Sequence, residues 1–175
     1  MRAGEALSAL LERKFDISEI TFSYCQPADL PMLLGDAATP VLASFYQVHG
    51  ELPGFLLLIM PLDEVAPFLG PLIGDDSIEG AMADSAFGEV GNVVGSAFLN
   101  YIADYYRTSA APTPPQVFRD MIGALMGSLA AIFVAEGEKE IPTVRTSFTQ
   151  ETGASSALLL WIPYALSLSE LRKSR

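Results

Sequence analysis

Short hydrophobic segments recur along the chain, each bounded by residues that favour turns. Alternating or continuous hydrophobic patterns rich in β-branched and aromatic residues predict strands at about 15–25, 41–48, 55–61, 143–150 and 156–163, with a shorter strand near Gln116. Helices are predicted at about 2–13, 62–74, 80–108, 121–135 and 164–175, with a further helical turn within the proline-punctuated segment that follows the first strand.

Two of the predicted hairpins are similar in sequence. Ser44–Pro61 (SFYQVHGELPGFLLLIMP) aligns with Ser147–Pro163 (SFTQETGASSALLLWIP) when one gap is placed in the turn. This alignment matches Phe45 with Phe148. An offset of about a hundred residues indicates a duplicated half-domain rather than a solenoid. The alternative is that any two amphipathic hairpins resemble each other.

The duplication predicts the fold class. We expect one domain over residues 1–175, with pseudo-repeats at about 1–74 and 80–175, in which Phe15 corresponds to Phe118. Two such halves would share one antiparallel sheet with helices packed on its faces, which is an α/β (α+β) architecture with pseudo-two-fold symmetry.

The helix predicted at about 80–108 has three kinds of face. Its hydrophobic face consists of Phe87, Val90, Val94, Ala97, Phe98 and Tyr101. Its polar face, which we expect to meet solvent, consists of Ser85, Glu89, Asn92 and Ser96. Between the two lie Gly88, Gly91 and Gly95, each of which costs a helix about 1 kcal/mol relative to alanine.

The glycines have two interpretations, and both are open at this point. In the first, Gly88, Gly91 and Gly95 form, with Ser96, a slim helix face on which a partner protein docks. In the second, they allow the helix to pack closely against the rest of its own chain.

Composition and charge narrow the class of protein. The 175 residues include 21 acidic and 10 basic ones, so the net charge of −11 argues against nucleic acid as a partner. The single cysteine, Cys25, excludes an internal disulfide, and the single histidine, His49, is expected in a surface turn. The hydrophobic run at 55–62 is too short to span a bilayer. We therefore expect a cytoplasmic protein that does not bind membranes.

Four residues in and after the helix predicted at about 80–108 carry a motif. Ser85, Glu89, Asn92 and Pro115 fit the pattern Asp/Ser-x3-Glu-x2-Asn-x22-Pro. Glu89 begins the run EVGNVVGSAFLNYIADYY, and Pro115 lies in the PPQV that follows this run after RTSAAPT. In this motif the chain resembles the CheC/CheX/FliY family of chemotaxis phosphatases, and CheC in particular. The resemblance implies a CheC-like duplicated α/β fold and a hydrolase that dephosphorylates the aspartate of a phosphorylated CheY-like receiver domain, a response regulator in two-component signalling.

The same resemblance implies a role for each motif residue. Asn92 would orient the attacking water, and Glu89 would pair with the active-site lysine of the regulator. Ser85 and Pro115 would shape the helix and its approach. The chain would need no metal or cofactor of its own, because Mg²⁺ is expected on the regulator. CheD and a second copy of the chain, forming a homodimer, are further candidate partners.

The chain departs from the CheC pattern in one respect. CheC sequences carry a second Glu-x2-Asn motif in the first half, and the repeat offset places its glutamate before Met1. We therefore expect a single site, either because the protein is a single-site member or because its true start lies upstream. The alternative function is a non-catalytic adaptor of the same fold that binds a response regulator, CheD or the flagellar switch.

Overall fold

The computed structural model describes residues 15–74, 79–150 and 156–164, and its elements are numbered here within those ranges. The strands are β1 (Phe15–Cys25), β2 (Pro40–Gly50), β3 (Gly54–Pro61), β4 (Ala110–Pro112), β5 (Gln116–Met121), β6 (Ile141–Gln150) and β7 (Ser156–Pro163). The helices are a 3-10 helix (Pro27–Met32), α1 (Leu62–Ile73), α2 (Gly80–Tyr106) and α3 (Ile122–Ala135). The helices predicted at 2–13 and beyond Tyr164 lie outside the described residues.

The hydrophobic patterns predicted these elements well. All six predicted strands and the three predicted long helices within the described ranges are confirmed, with boundaries that differ by a few residues. The strand that was not predicted is β4, which pairs with Val48–Gly50 of β2. Its three residues include a proline and no β-branched or aromatic side chain, so the sequence carries no strand signal there. Pro112 is tolerated because β4 lies at the edge of the sheet.

The strands form one antiparallel sheet in the order β1-β6-β7-β3-β2-β4, and β5 also pairs with β2. The β2–β3 and β6–β7 hairpins meet at the centre, where β3 lies beside β7. Strand β1 of the first half then pairs with β6 of the second half, and β5 of the second half pairs with β2 of the first half. Apart from β4, the strand order therefore has the two-fold symmetry that the repeat predicts.

The residue-by-residue alignment of the repeat is wrong. Phe45 packs against the α3 side of the sheet, whereas Phe148 is buried on the α2 side. A two-fold axis that relates antiparallel neighbours is perpendicular to the sheet and keeps equivalent residues on one face. The repeat also matches Phe15 of β1 with Phe118 of β5, so the two should pair with corresponding positions of β6 and β2. Instead, Phe15 pairs with Gln150, the last residue of β6, whereas Phe118 pairs with Ala43 in the first half of β2. The halves share topology, but not the register that the alignment assumed.

Helices cover both faces of the sheet. Helices α1 and α2 pack on one face, and the 3-10 helix and α3 pack on the other. The central strand β3 supplies both cores: Leu56, Leu58 and Met60 face α2, whereas Phe55, Leu57 and Ile59 face α3. Because both faces of β3 are buried, its sequence is a continuous hydrophobic run instead of an alternating one.

Candidate functional site on helix α2

The long helix α2 is held to the sheet by a regular set of buried side chains. Ala83, Phe87, Val90 and Val94 recur every three or four residues and are fully buried. Burial of each of the three larger ones stabilises the fold by about 1.5–3 kcal/mol. The predicted hydrophobic face is confirmed at Phe87, Val90 and Val94, but Tyr101 at its end is exposed.

The three glycines lie in the helix–sheet contact. Gly88, Gly91 and Gly95 are all buried. A methyl group added to Gly88 would lie 3.2 Å from Val117 Cγ2, and one added to Gly95 would lie 2.9 Å from Leu56 Cδ2. The prediction that these glycines face a docking partner is therefore wrong, and the alternative of close packing within the chain holds. Ser96, the fourth residue of that predicted face, is half-buried.

The polar stripe of α2 points away from the sheet, as predicted. Ser85 and Glu89 are exposed, and Asn92 is half-buried one turn further on. Residues three and four apart on a helix are surface neighbours, so these side chains form one strip. Among the described residues, neither Glu89 nor Asn92 has a hydrogen-bond or ion-pair partner. A carboxylate and an amide are therefore presented together to whatever approaches this face.

Strand β5 and the residues before it brace one flank of this strip. The half-buried Pro115 lies beside Gly88, where an added methyl group would be 3.7 Å from Pro115 Cγ. Further along, the guanidinium of Arg119 donates to Asp84 Oδ1 at 2.6 Å and to the Gly80 carbonyl at 3.3 Å. The structure thus brings Pro115, 23 residues from Asn92 in the sequence, back to the motif helix.

A buried polar pair lies directly beneath the motif, and it was not predicted from the sequence. Ser44 Oγ donates to Tyr46 Oη at 2.7 Å, and Tyr46 Oη donates to the Gly88 carbonyl at 3.2 Å. Both side chains are fully buried. Burial, with a smaller contribution from the negative charge of Glu89, raises the pKa of Tyr46 to about 12, against the lowering effect of the Ser44 hydrogen bond. Tyr46 therefore remains a proton donor at physiological pH.

The remaining candidate residues and features give little evidence of a second functional site. His49 lies within β2, paired with Ala111, and not in the turn where it was expected. Burial and the nearby Asp29 raise the pKa of the Cys25 thiol, which disfavours the reactive thiolate. Among the described residues, no three His, Cys, Asp or Glu side chains are grouped so that they would hold a metal ion. Over the same ranges, no helix is both long and apolar enough to cross a bilayer.

Comparison with known proteins places the chain in a family context. No protein-family profile matches the chain. The chain is 31% identical over 155 residues to CheY-P phosphatase CheC of Bacillus subtilis, a match that covers 85% of this chain and 74% of CheC.

Solved structures share the fold. FliY of Thermotoga maritima superposes with a TM-score of 0.65 at 14% identity, covering 98% of this chain and 87% of FliY. The CheX chain in the CheX–CheY–BeF3–Mg²⁺ complex from Borrelia burgdorferi superposes with a TM-score of 0.57 at 15% identity, covering 93% and 94% of the two chains. With the sequence match to CheC, these findings show that the chain belongs to the CheC/CheX/FliY family.

Proposed function

We propose that the chain is a phosphatase that hydrolyses the aspartyl-phosphate of a CheY-like response regulator. The observation that carries the proposal is the placement of Glu89 and Asn92, which lie together on the outer face of α2 without a partner among the described residues. Two comparisons support it: the relative CheC is named a CheY-P phosphatase, and a CheX structure of the same fold is a complex with CheY.

The chemistry of the two side chains suits this reaction. Hydrolysis of an acyl phosphate needs a water held in line with the phosphorus and needs little covalent help. The side-chain amide of Asn92 has both a carbonyl acceptor and N–H donors, so it can hold and orient a water. Because Asn92 is half-buried, it has fewer accessible rotamers than a fully exposed side chain. The proposed role of Asn92 is therefore to position the nucleophile.

Glu89 has a different role. It is exposed and lies one turn before Asn92, so its carboxylate can reach a cation on the regulator. We assign that cation to the regulator's active-site lysine, and such a pair would fix the register of α2 on the regulator. The positive charge that stabilises the transferring phosphoryl group, including Mg²⁺, would come from the regulator.

The remaining motif residues act on the helix and not on the phosphate. Pro115 lies against Gly88 and limits how far α2 can shift towards β5. Ser85, the other motif residue, lies one turn before Glu89 and would shape the approach of the helix. Ser96, which is outside the motif, lies one turn beyond Asn92, so in this proposal it borders the contact with the regulator. Binding to CheD and self-association stay predictions.

The proposal is tested by the decay of a phosphorylated receiver domain from the same organism, with and without the chain. The expected result is faster decay with the wild-type chain, loss of the acceleration with Asn92→Ala, and retained acceleration with Asn100→Ala. Asn100 is a matched control because it is an exposed asparagine on the same helix outside the motif. A receiver that binds the chain but decays at its intrinsic rate would overturn the phosphatase and indicate the adaptor function.

A further inference from the structure

The hydroxyl of Tyr46 acts on a particular peptide group of α2. Its acceptor, the Gly88 carbonyl, belongs to the peptide bond that joins Gly88 to Glu89. In an α-helix the same carbonyl accepts the backbone N–H four residues later, which here is that of Asn92. One buried hydrogen bond therefore ends on a peptide unit that is linked to both site residues. Glu89 contributes the nitrogen of this peptide unit, and the backbone N–H of Asn92 donates to its carbonyl.

Apolar side chains would be the ordinary choice at this position. Ser44 and Tyr46 lie on the β2 face that packs against α2, in a core cluster that is otherwise hydrophobic. Burying hydroxyl groups costs free energy unless each is hydrogen-bonded, and here both are, in a short chain that ends on the helix. Packing could be achieved with Phe and Ala, so the hydroxyls call for a further explanation.

Gly91 makes this contact possible. A methyl group added to Gly91 would collide with Tyr46 Oη and would lie 2.8 Å from Ser44 Oγ. The helix is therefore closest to Ser44 and Tyr46 at Gly91, which lies between Glu89 and Asn92 in the sequence and faces the sheet. Any other residue at Gly91 would move the helix outward or displace the hydroxyls.

We propose that Tyr46 and Ser44 are positioning residues for the site, which fix the depth and rotation of the Gly88–Asn92 segment through the hydrogen bond to the Gly88 carbonyl. The inference rests on the proposed phosphatase function. The raised pKa of Tyr46 is consistent with it, since the hydroxyl keeps its donated proton throughout the physiological range.

The test is single-turnover dephosphorylation of a phosphorylated receiver over a series of chain concentrations, which separates the maximal rate from the half-saturating concentration. Tyr46→Phe removes the hydroxyl and keeps the ring. We expect the maximal rate to fall about tenfold, because a small misplacement of the water-holding group is costly. The half-saturating concentration should change less than about twofold, since the docking surface is retained. If Tyr46→Phe fails to fold, Ser44→Ala is used in its place and should also lower the maximal rate.

Two further variants separate positioning from a general loss of stability. Tyr24→Phe is the matched control, because Tyr24 is an exposed tyrosine on β1, and it should leave both parameters unchanged. If Asn92→Ala keeps a measurable residual acceleration, Tyr46→Phe in that background should cause no further loss of rate, because it acts through Asn92. Circular dichroism and the melting temperature confirm that each variant is folded.

The outcomes distinguish this inference from the proposed function. If the wild-type chain does not accelerate decay, the phosphatase proposal is overturned and the positioning role with it. If the wild type is active and folded Tyr46→Phe has an unchanged maximal rate, only the positioning role is overturned. An equal loss of rate with and without Asn92 would also contradict it.

Discussion

A methyl group added to Gly91 of α2 would lie 2.8 Å from Ser44 Oγ of β2, so helix and strand meet at a separation that only glycine permits. The contact lies beneath the stretch that carries Glu89 and Asn92. The close approach of the inner face of α2 to the sheet thus explains why this helix contains glycines. Its outer face carries the motif.

The first prediction concerns this close approach. Gly91→Ala should destabilise the fold by about 1–3 kcal/mol, because the added methyl group overpacks a buried polar contact. Gly127→Ala is the matched control, since Gly127 lies in α3 and an added methyl group there would have no contact within 4 Å. That change should stabilise the fold by up to about 1 kcal/mol, through helix propensity. Urea unfolding measures both, and equal effects of the two substitutions would contradict the packing account.

The second prediction concerns the titration of Tyr46. Its folded pKa is about 12, against an ordinary value of 10.0, so the folded state favours the protonated phenol. This contribution to stability is fully present below pH 10 and is lost as the pH rises towards 12. Wild type should exceed Tyr46→Phe in unfolding free energy by about 1 kcal/mol at pH 8. The difference should narrow between pH 10 and 12, and a constant difference over that range would contradict the assignment.

The third prediction concerns the brace at the start of α2. The Arg119–Asp84 ion pair is 2.6 Å long, but both side chains are about one-third exposed. A double-mutant cycle with Arg119→Met and Asp84→Asn should therefore give a coupling of only about 0.2–1 kcal/mol, which weakens with added salt. A coupling that is large and independent of salt would mean that the pair is more deeply desolvated than its exposure indicates.

The fourth prediction concerns Glu89. If its carboxylate pairs with a lysine of the regulator, Glu89→Gln should raise the half-saturating concentration about fivefold or more at low salt and should lessen its salt dependence. Glu140→Gln, at another exposed glutamate, is the control. An unchanged half-saturating concentration together with a reduced maximal rate would contradict docking and would point to a role in the chemical step.

Hydrophobic periodicity was sufficient to predict most elements and the exposed strip of α2. It could not assign the glycines, because a residue without a side chain has no polarity from which to infer its face. Gly91 is assigned by Ser44 and Tyr46, which lie 45 or more residues earlier in the sequence and are brought under the helix only by the fold. The repeat alignment failed for a related reason, since Phe45 and Phe148 are alike in sequence but face opposite sides of the sheet.

The central claim is that Asn92 positions the attacking water, and one measurement tests it most directly. The rate of receiver dephosphorylation is measured under single-turnover conditions at saturating chain, for wild type, Asn92→Ala and Asn100→Ala, with binding of each to the receiver confirmed separately. We predict that Asn92→Ala binds like wild type and lowers the rate by about a hundredfold or to the intrinsic decay of the receiver, while Asn100→Ala matches wild type. A saturating Asn92→Ala chain that dephosphorylates the receiver at the wild-type rate would contradict the claim.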